Sequence, residues 1–309
     1  GGGGGGNGGG GGDDKPFLLV GPDIGGSTGG QHSESLEFLR RFAAAKPPVD
    51  AFTFHHYYGP PTFGVSDLLN STTLDQLRQH IDDVRAVVVD GGGEEAKRIP
   101  LILGETSSCY GGGCPTISTS FAATFCWLDK LATAASTGIA MVNRQEFLGI
   151  YSHYALVDAP GGRHARATPD FFVTLLWKRI VGSRVLAVDG ELRSGRTLRT
   201  YAFCSSNFSN GGSPGSVVLA FVNIRNSTVS AHVSVVDRPQ QHRFDYIFSG
   251  GLLSPYVRLN GHLPAVNSTT GAISPMLPRK AYSENAKMEL PPHSLGFIVL
   301  PNADLDECK

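Results

Sequence analysis

Glu105 directly follows a run of apolar residues, Ile99–Gly104, and directly precedes Thr106-Ser107-Ser108. A carboxylate at the carboxyl end of a buried parallel strand is partly desolvated and faces the mouth where such sheets hold their ligands. It can then serve as a nucleophile or as a general acid/base. The spacing fits equally well a structural Glu that accepts bonds from the loop after it. Tyr110-Gly111-Gly112-Gly113 comes next. Three Gly let backbone amides approach a ligand with no Cβ in the way, and they also suit a flexible turn. Upstream, His55-His56-Tyr57-Tyr58 closes a second run, Val49–Tyr58. Neighbours on a strand point to opposite faces. Either one His lines a site while the other packs, or both are structural. This argues against their sharing one metal, and no Cys/His cluster has zinc spacing. Two more runs end in Gly21-Pro22-Asp23 and Asn143-Arg144-Gln145-Glu146, adding Asp23 and Glu146 as local carboxylates. The glycines around Gly21–Gly30 lack the GxGxxG order, and no GxSxG elbow occurs, so neither a dinucleotide fold nor a serine hydrolase is indicated.

The elements that must position these residues alternate in type. Ser33–Ala45, Leu74–Val89, Ser120–Ser136 and Pro169–Val181 carry apolar residues at helical spacing. Ser33 suits an N-cap, Pro169 an N1 position and Gly182 a C′ position. Between the helices, Phe17–Val20, Val49–Tyr58, Ile99–Gly104 and Gly138–Arg144 read as strands. Continuous apolar runs are expected where helices cover both sheet faces. About 250 residues are typical of a complete (β/α)8 barrel, so residues 13–182 fit part of a barrel or a small open sheet. After Gly182 the pattern becomes short strand candidates separated by Gly, Ser, Asn and Pro: Arg184–Val188, Leu198–Cys204, Ser216–Asn223, Val229–Val236, Phe244–Phe248, Tyr256–Leu259 and Ser294–Leu300. Such spacing predicts an all-β, sandwich-like domain over 183–309, with 260–292 mostly loop.

Composition narrows the function classes. Lys and Arg number 26 against 27 Asp and Glu, which does not suit a nucleic-acid-binding surface. No run of 18 apolar residues is present to span a membrane as a helix. Residues 1–12 are Gly apart from Asn7. This low-complexity tail has neither the charged nor the apolar region of a signal peptide and does not begin with Met, so the front end reads as processed or partial. Four N-glycosylation sequons begin at Asn70, Asn207, Asn226 and Asn267, a modest excess over the roughly two expected by chance. They favour the secretory pathway, where the five Cys could form disulfides.

The ordered motifs resemble those of the animal heparanases. The similar segments are Leu103-Gly104-Glu105-Thr106-Ser107-Ser108, Tyr110-Gly111-Gly112-Gly113, Phe54-His55-His56-Tyr57-Tyr58, Trp127-Leu128-Asp129-Lys130-Leu131, Arg144-Gln145, His153-Tyr154, Pro169-Asp170 and Lys178-Arg179. The resemblance runs from about Leu18 to the C-terminus. It implies the C-terminal part of a (β/α)8 TIM barrel followed by a β-sandwich, an α/β plus all-β chain. It also implies a retaining endo-β-glucuronidase acting on heparan sulfate chains without metal or cofactor. Glu105 matches the nucleophile, Tyr154 would orient it, His55 and Tyr57 would line the glucuronate subsite, and Gly111 and Gly112 would donate amides to the substrate carboxylate. The implied location is lysosomal or extracellular, including membrane surfaces.

The family's acid/base Glu follows an Asn in an Asn-Glu-Pro motif, and no Asn-Glu pair occurs here; Glu284-Asn285 is the reverse order. The front half of the barrel is missing too, so the chain alone is expected to be inactive and to need that half as a partner. Gly25–Gly30 and Gly59-Pro60-Pro61 stand where basic residues are expected, leaving Lys178, Arg179 and Arg184 as remaining cations. The competing readings are a non-catalytic glycan-binding protein and an incomplete, inactive product. The resemblance further implies a Cys204–Cys308 disulfide, consistent with stapling a terminus that would otherwise fray. Cys109 and Cys114 could also pair, but the short Gly loop between them argues against it. Cys126, beside Phe125, is expected to be a buried thiol.

Overall fold

Four of the apolar runs pair side by side as a parallel sheet in the order β1 (Val20–Ile24), β2 (Ala51–His56), β3 (Leu101–Thr106) and β4 (Met141–Arg144). The computed structural model describes residues 17–26, 30–162, 164–188, 197–206, 213–236, 238–240, 242–282 and 287–309. Helix α1 (Gly30–Ala44) links β1 to β2, α2 (Val65–Leu68) and α3 (Ser71–Ala96) link β2 to β3, and α4 (Phe121–Ser136) links β3 to β4. α5 (Pro169–Ile180) follows.

The first strand starts later than its apolar run suggests. Its register with β2 begins at Val20 opposite Ala51, and Phe17, Leu18 and Leu19 are left exposed at the sheet edge. α3 runs well past the expected stretch at both ends. Asn70 caps it by accepting from the Thr72 amide. At the other end it continues through Gly91 and Gly92, because a Cβ on Gly91 would lie 2.1 Å from the Arg40 carbonyl oxygen. There glycine serves close approach to α1 rather than a stop. Ser33 is no N-cap, since α1 has already begun at Gly30. Gly182 does fall at C′, after the C-cap Val181, but it makes no left-handed cap, because the next strand, Val181–Leu186, starts at once.

Beyond α5 the strands are antiparallel. One seven-stranded sheet orders Arg258–Leu259, His242–Ser249, Ser294–Leu300, Val217–Asn223, Leu198–Ser205 and Val181–Leu186, with Arg279–Tyr282 also paired to His242–Ser249. Alternation along Val217–Asn223 decides the layers. Val218, Ala220 and Val222 face the core that holds α4 and α5. Val217 and Phe221 face a second cluster with Met288 and Leu290, carried by the two-stranded ladder Val229–His232 with Lys287–Leu290. The sandwich anticipated from sequence is thus one broad sheet with a small second layer. The stretch 260–292 is mostly turn and loop among its described residues, as expected, but it also supplies two short strands, Arg279–Tyr282 and Lys287–Leu290.

α4 lies between the two parts. Every residue from Phe121 to Ala134 is buried. Its first amides, on Phe121 and Ala122, donate to the carbonyls of Ser254 and Leu252, which satisfies donors that a helix start leaves open. Asp129 accepts from Arg199 at 2.5 Å and from Tyr201 at 2.6 Å, both on Leu198–Ser205. Cys204 and Cys308 are joined across 104 positions. Among the described residues, no helix is long and apolar enough to cross a membrane.

Candidate active site

Pairing β3 between β2 and β4 brings the sequence candidates together at the carboxyl end of the parallel sheet. Glu105 lies within β3 rather than just beyond it, next to His55 in register. Its side chain is 34% exposed. Gly104 before it has to be small, since a Cβ there would meet the Asp23 carboxylate at 2.0 Å.

The Tyr57 hydroxyl donates to Glu105 Oε1 at 2.5 Å. The sequence reading gave the orienting role to Tyr154; the geometry gives it to Tyr57. Tyr154 stands one layer back, its ring stacked on Tyr57 with centroids 6.2 Å apart. Burial, and then the bond to Glu105, hold the Tyr57 phenol far above its ordinary pKa, so it stays a donor. Burial also raises Tyr154, as do the charges of Glu105 and Glu146. His55 Nδ1 is 3.9 Å from Glu105, and its Nε2 is 3.1 Å from Asp23, within ion-pair reach though not aligned as a hydrogen bond. Glu146 accepts from Ser152 on the neighbouring loop.

Strand alternation sends His56 to the other side of the sheet. It is fully buried, with its Nδ1 3.2 Å from His80 Nδ1 on α3. His32 packs edge-on against His80 and meets Asp83 at 3.3 Å.

Two buried cations, quoted above only as motif residues, support this floor. Lys130 on α4 donates to the carbonyl oxygens of His56 and Ser107 and to Thr106 Oγ1, at 3.1, 2.7 and 2.5 Å. It also sits over the Tyr58 ring, 4.4 Å from the centroid. Burial pulls its pKa down, and its hydrogen bonds to two carbonyls and one hydroxyl satisfy the buried amine. Arg144 donates through Nε and Nη2 to the Tyr154 carbonyl, at 3.1 and 2.6 Å, and pairs with Asp170 at 2.8 Å. The available signal was a charged residue at an apolar position, Lys130 between Leu128 and Leu131 in the helical register.

The remaining candidates separate from the site. Asn70, Asn226 and Asn267 are exposed, and Asn207 lies outside the described residues, as do Glu284 and Asn285. Arg184 donates to the Glu307 carbonyl in the antiparallel part. Cys109 and Cys114 do pair, against expectation, and Cys126 is a buried free thiol.

No family model matches the chain. Heparanase from Mus musculus is 37% identical over 300 residues, covering 94% of this chain and 52% of that protein. The chain is similar to heparanases over nearly all of its length. It spans about half the length of the curated relatives it matches. Inactive heparanase-2 from Homo sapiens is 31% identical over the same 94% of the chain and 49% of its own length. Hyaluronoglucuronidase from Hirudo nipponia is 28% identical, covering 94% of the chain and 57% of its own length. Among solved structures, the GH51 arabinofuranosidase from Xanthomonas axonopodis pv. citri superposes with a TM-score of 0.63 at 15% identity, over 94% of this chain and 59% of that one. That likeness concerns the fold alone.

Proposed function

We propose that the chain is the carboxyl-terminal part of a retaining glycoside hydrolase, an endo-β-glucuronidase of heparan sulfate. The observation carrying this reading is the Tyr57–Glu105 hydrogen bond, which holds a partly exposed carboxylate at the mouth of a parallel sheet. In this reading Glu105 attacks the anomeric carbon, the bond from that carbon to the leaving sugar oxygen breaks, and a glycosyl ester forms. Water then releases the sugar with its anomeric configuration retained. The proton for the leaving oxygen comes from a carboxylic acid on the preceding half of a (β/α)8 barrel. That half would close against the open edges β1 and β4, where Leu18, Leu19 and Met141 are exposed. Without it the chain is inactive. His55 and Tyr57 line the glucuronate subsite, Gly111 and Gly112 offer backbone donors, and Tyr154 backs Tyr57. Residues 13–182 then belong to the barrel and 183–309 to a β-sandwich. The glycosylated, disulfide-bonded product would work in lysosomes or outside the cell.

The second reading, a non-catalytic glycan binder, is favoured by the similarity to inactive heparanase-2. The two separate in one experiment. The full-length protein is incubated with a slow, activated 2-fluoro-glucuronide and digested, and the peptide bearing the added sugar is sequenced by mass spectrometry. A glycosyl adduct on Glu105, missing in Glu105→Gln, is the expected result. Binding of heparan sulfate with no adduct would leave the non-catalytic reading in place.

A further inference from the structure

We propose that the Cys109–Cys114 disulfide is a positioning clamp. It holds the Gly111-Gly112-Gly113 turn as a backbone receptor for the carboxylate of a uronate sugar. The inference rests on the glucuronidase reading above and adds the device that makes its glycine subsite usable.

Gly111, Gly112 and Gly113 all adopt left-handed backbone, with φ of 65°, 92° and 92°. Three consecutive glycines of this kind are the costliest sequence to hold in one shape, since each can leave it without steric penalty. The turn is nevertheless fixed from both ends. Cys109 and Cys114 are fully buried and bonded to each other, closing the turn into a small ring. The Cys114 amide donates to Ser118 Oγ at 2.8 Å, which contacts Ser108 Oγ at 2.7 Å. The Tyr110 amide donates to the Gly59 carbonyl, tying the ring to the segment that follows β2.

What the ring presents is polar and open. Among the described residues, nothing accepts from the Gly111 or Gly112 amide, whereas the Gly113 amide turns back to the Tyr110 carbonyl. A Cβ on Gly112 would meet nothing within 4 Å. Successive free amides in a tight turn form a concavity that receives anionic oxygen. Its place is fixed relative to the nucleophile by contact. The Gly112 carbonyl accepts from the His153 amide at 2.6 Å, and the next residue, Tyr154, stacks on Tyr57, which holds Glu105. A clamp that spares the ligand the ordering of three glycines raises affinity for a carboxylate without touching it.

The test uses the full-length protein carrying Glu105→Gln, with and without Cys109→Ala/Cys114→Ala. Calorimetry with a glucuronate-containing heparan sulfate oligosaccharide is expected to show affinity falling by about tenfold or more on loss of the disulfide, the scale of lost preorganisation. The same oligosaccharide with its carboxylates reduced to alcohols is expected to bind weakly and equally to both. Hydrogen exchange at residues 111–114 should quicken by at least a similar factor, with β3 and α4 unchanged. If β3 or α4 loses protection, the variant is misfolded, and Cys109→Val/Cys114→Ala, which refills the sulfur volume, is read instead. Unchanged affinity overturns the proposal even if exchange quickens, because the bond would then be only a staple. Lost affinity with unchanged exchange overturns it as well. If the Glu105→Gln parent does not bind the oligosaccharide at all, the glucuronidase reading falls, and the exchange arm still decides whether the disulfide orders the turn.

Discussion

In the proposed mechanism the Glu105 carboxylate needs a partner that fixes its lone pairs yet leaves one oxygen free, and a single phenol at 2.5 Å meets that need. Tyr57→Phe keeps the ring and its stack on Tyr154 while deleting the donor. The expected result in the full-length enzyme is a fall in kcat of about 10- to 100-fold, the size of one charge-assisted hydrogen bond, with KM little changed. A loss confined to KM would make Tyr57 a substrate contact instead. At this scale the sequence was legible in identities more than in roles. His55, Tyr57 and Glu105 stood out because strand ends are where chemistry gathers, and Tyr154 through the resemblance to heparanases. Which Tyr reaches the carboxylate depends on the register of β2 against β3, which contains an irregularity between Phe54 and His55. No spacing rule reveals such a shift.

The helices explain what the strands cannot hold alone. Lys130 closes the carboxyl ends of β2 and β3 from below, so replacing it strands two carbonyls. Lys130→Met is expected to cost about 2–5 kcal/mol in a denaturant titration, the usual range for unpaired buried polar groups; a change below about 0.5 kcal/mol would show that water substitutes for the amine. α3 brings a different liability. Burial lowers His80 to a pKa of about 4, with the His32 charge lowering it further and Asp83 raising it; His56 is pushed down as well, by burial and then by Lys130. The unfolded chain takes up a proton at about 6.5, whereas the folded one refuses it until about pH 4. Stability is therefore complete above pH 6.5 and is lost as pH falls from 6.5 towards 4, by on the order of 3 kcal/mol from His80 alone. Unfolding midpoints measured at pH 7 and pH 4.5 should draw apart, and His80→Gln should narrow the gap. An equal gap in both proteins would assign the acid sensitivity elsewhere. Amphipathic spacing located α1, α3, α4 and α5 well. It could not show that Gly91 continues a helix, because that depends on how near α1 lies. The period-two pattern in Lys287–Leu290 was available, with Met288 and Leu290 inward, but Pro and Ser around it disguised a strand as a loop.

At the scale of the molecule, the Cys204–Cys308 bond fastens the C-terminus to Leu198–Ser205, the strand next to the edge of the broad sheet. Replacing both with Ala should lower stability by about 2–4 kcal/mol, the typical range for a disulfide and below the roughly 4.7 kcal/mol that loop entropy alone would give at this separation, with a lower melting temperature for the secreted protein. An unchanged midpoint would mean that the tail is held by its contacts alone. Among the described residues the parallel sheet is unpaired at both edges, β1 and β4, and unpaired edges invite association. The same openness was visible in the sequence as too few strand–helix units for a barrel, while the shape of the antiparallel part was not, since short strands rarely reveal their neighbours.

The burial of α4 on every side has a practical consequence for anyone sorting natural variants of this chain or trimming it for expression. The helix that ends in the barrel-like half begins on carbonyls lent by Ser254 and Leu252, and its Asp129 is neutralised by Arg199. The antiparallel sheet is therefore no detachable accessory but the outer wall behind the strands that carry Glu105. An Arg199 substitution, far along the chain from Glu105, belongs in the same diagnostic class as one at Lys130. A truncation ending near Gly182 would deliver a helix with its back bare and no floor for the carboxylate to stand on.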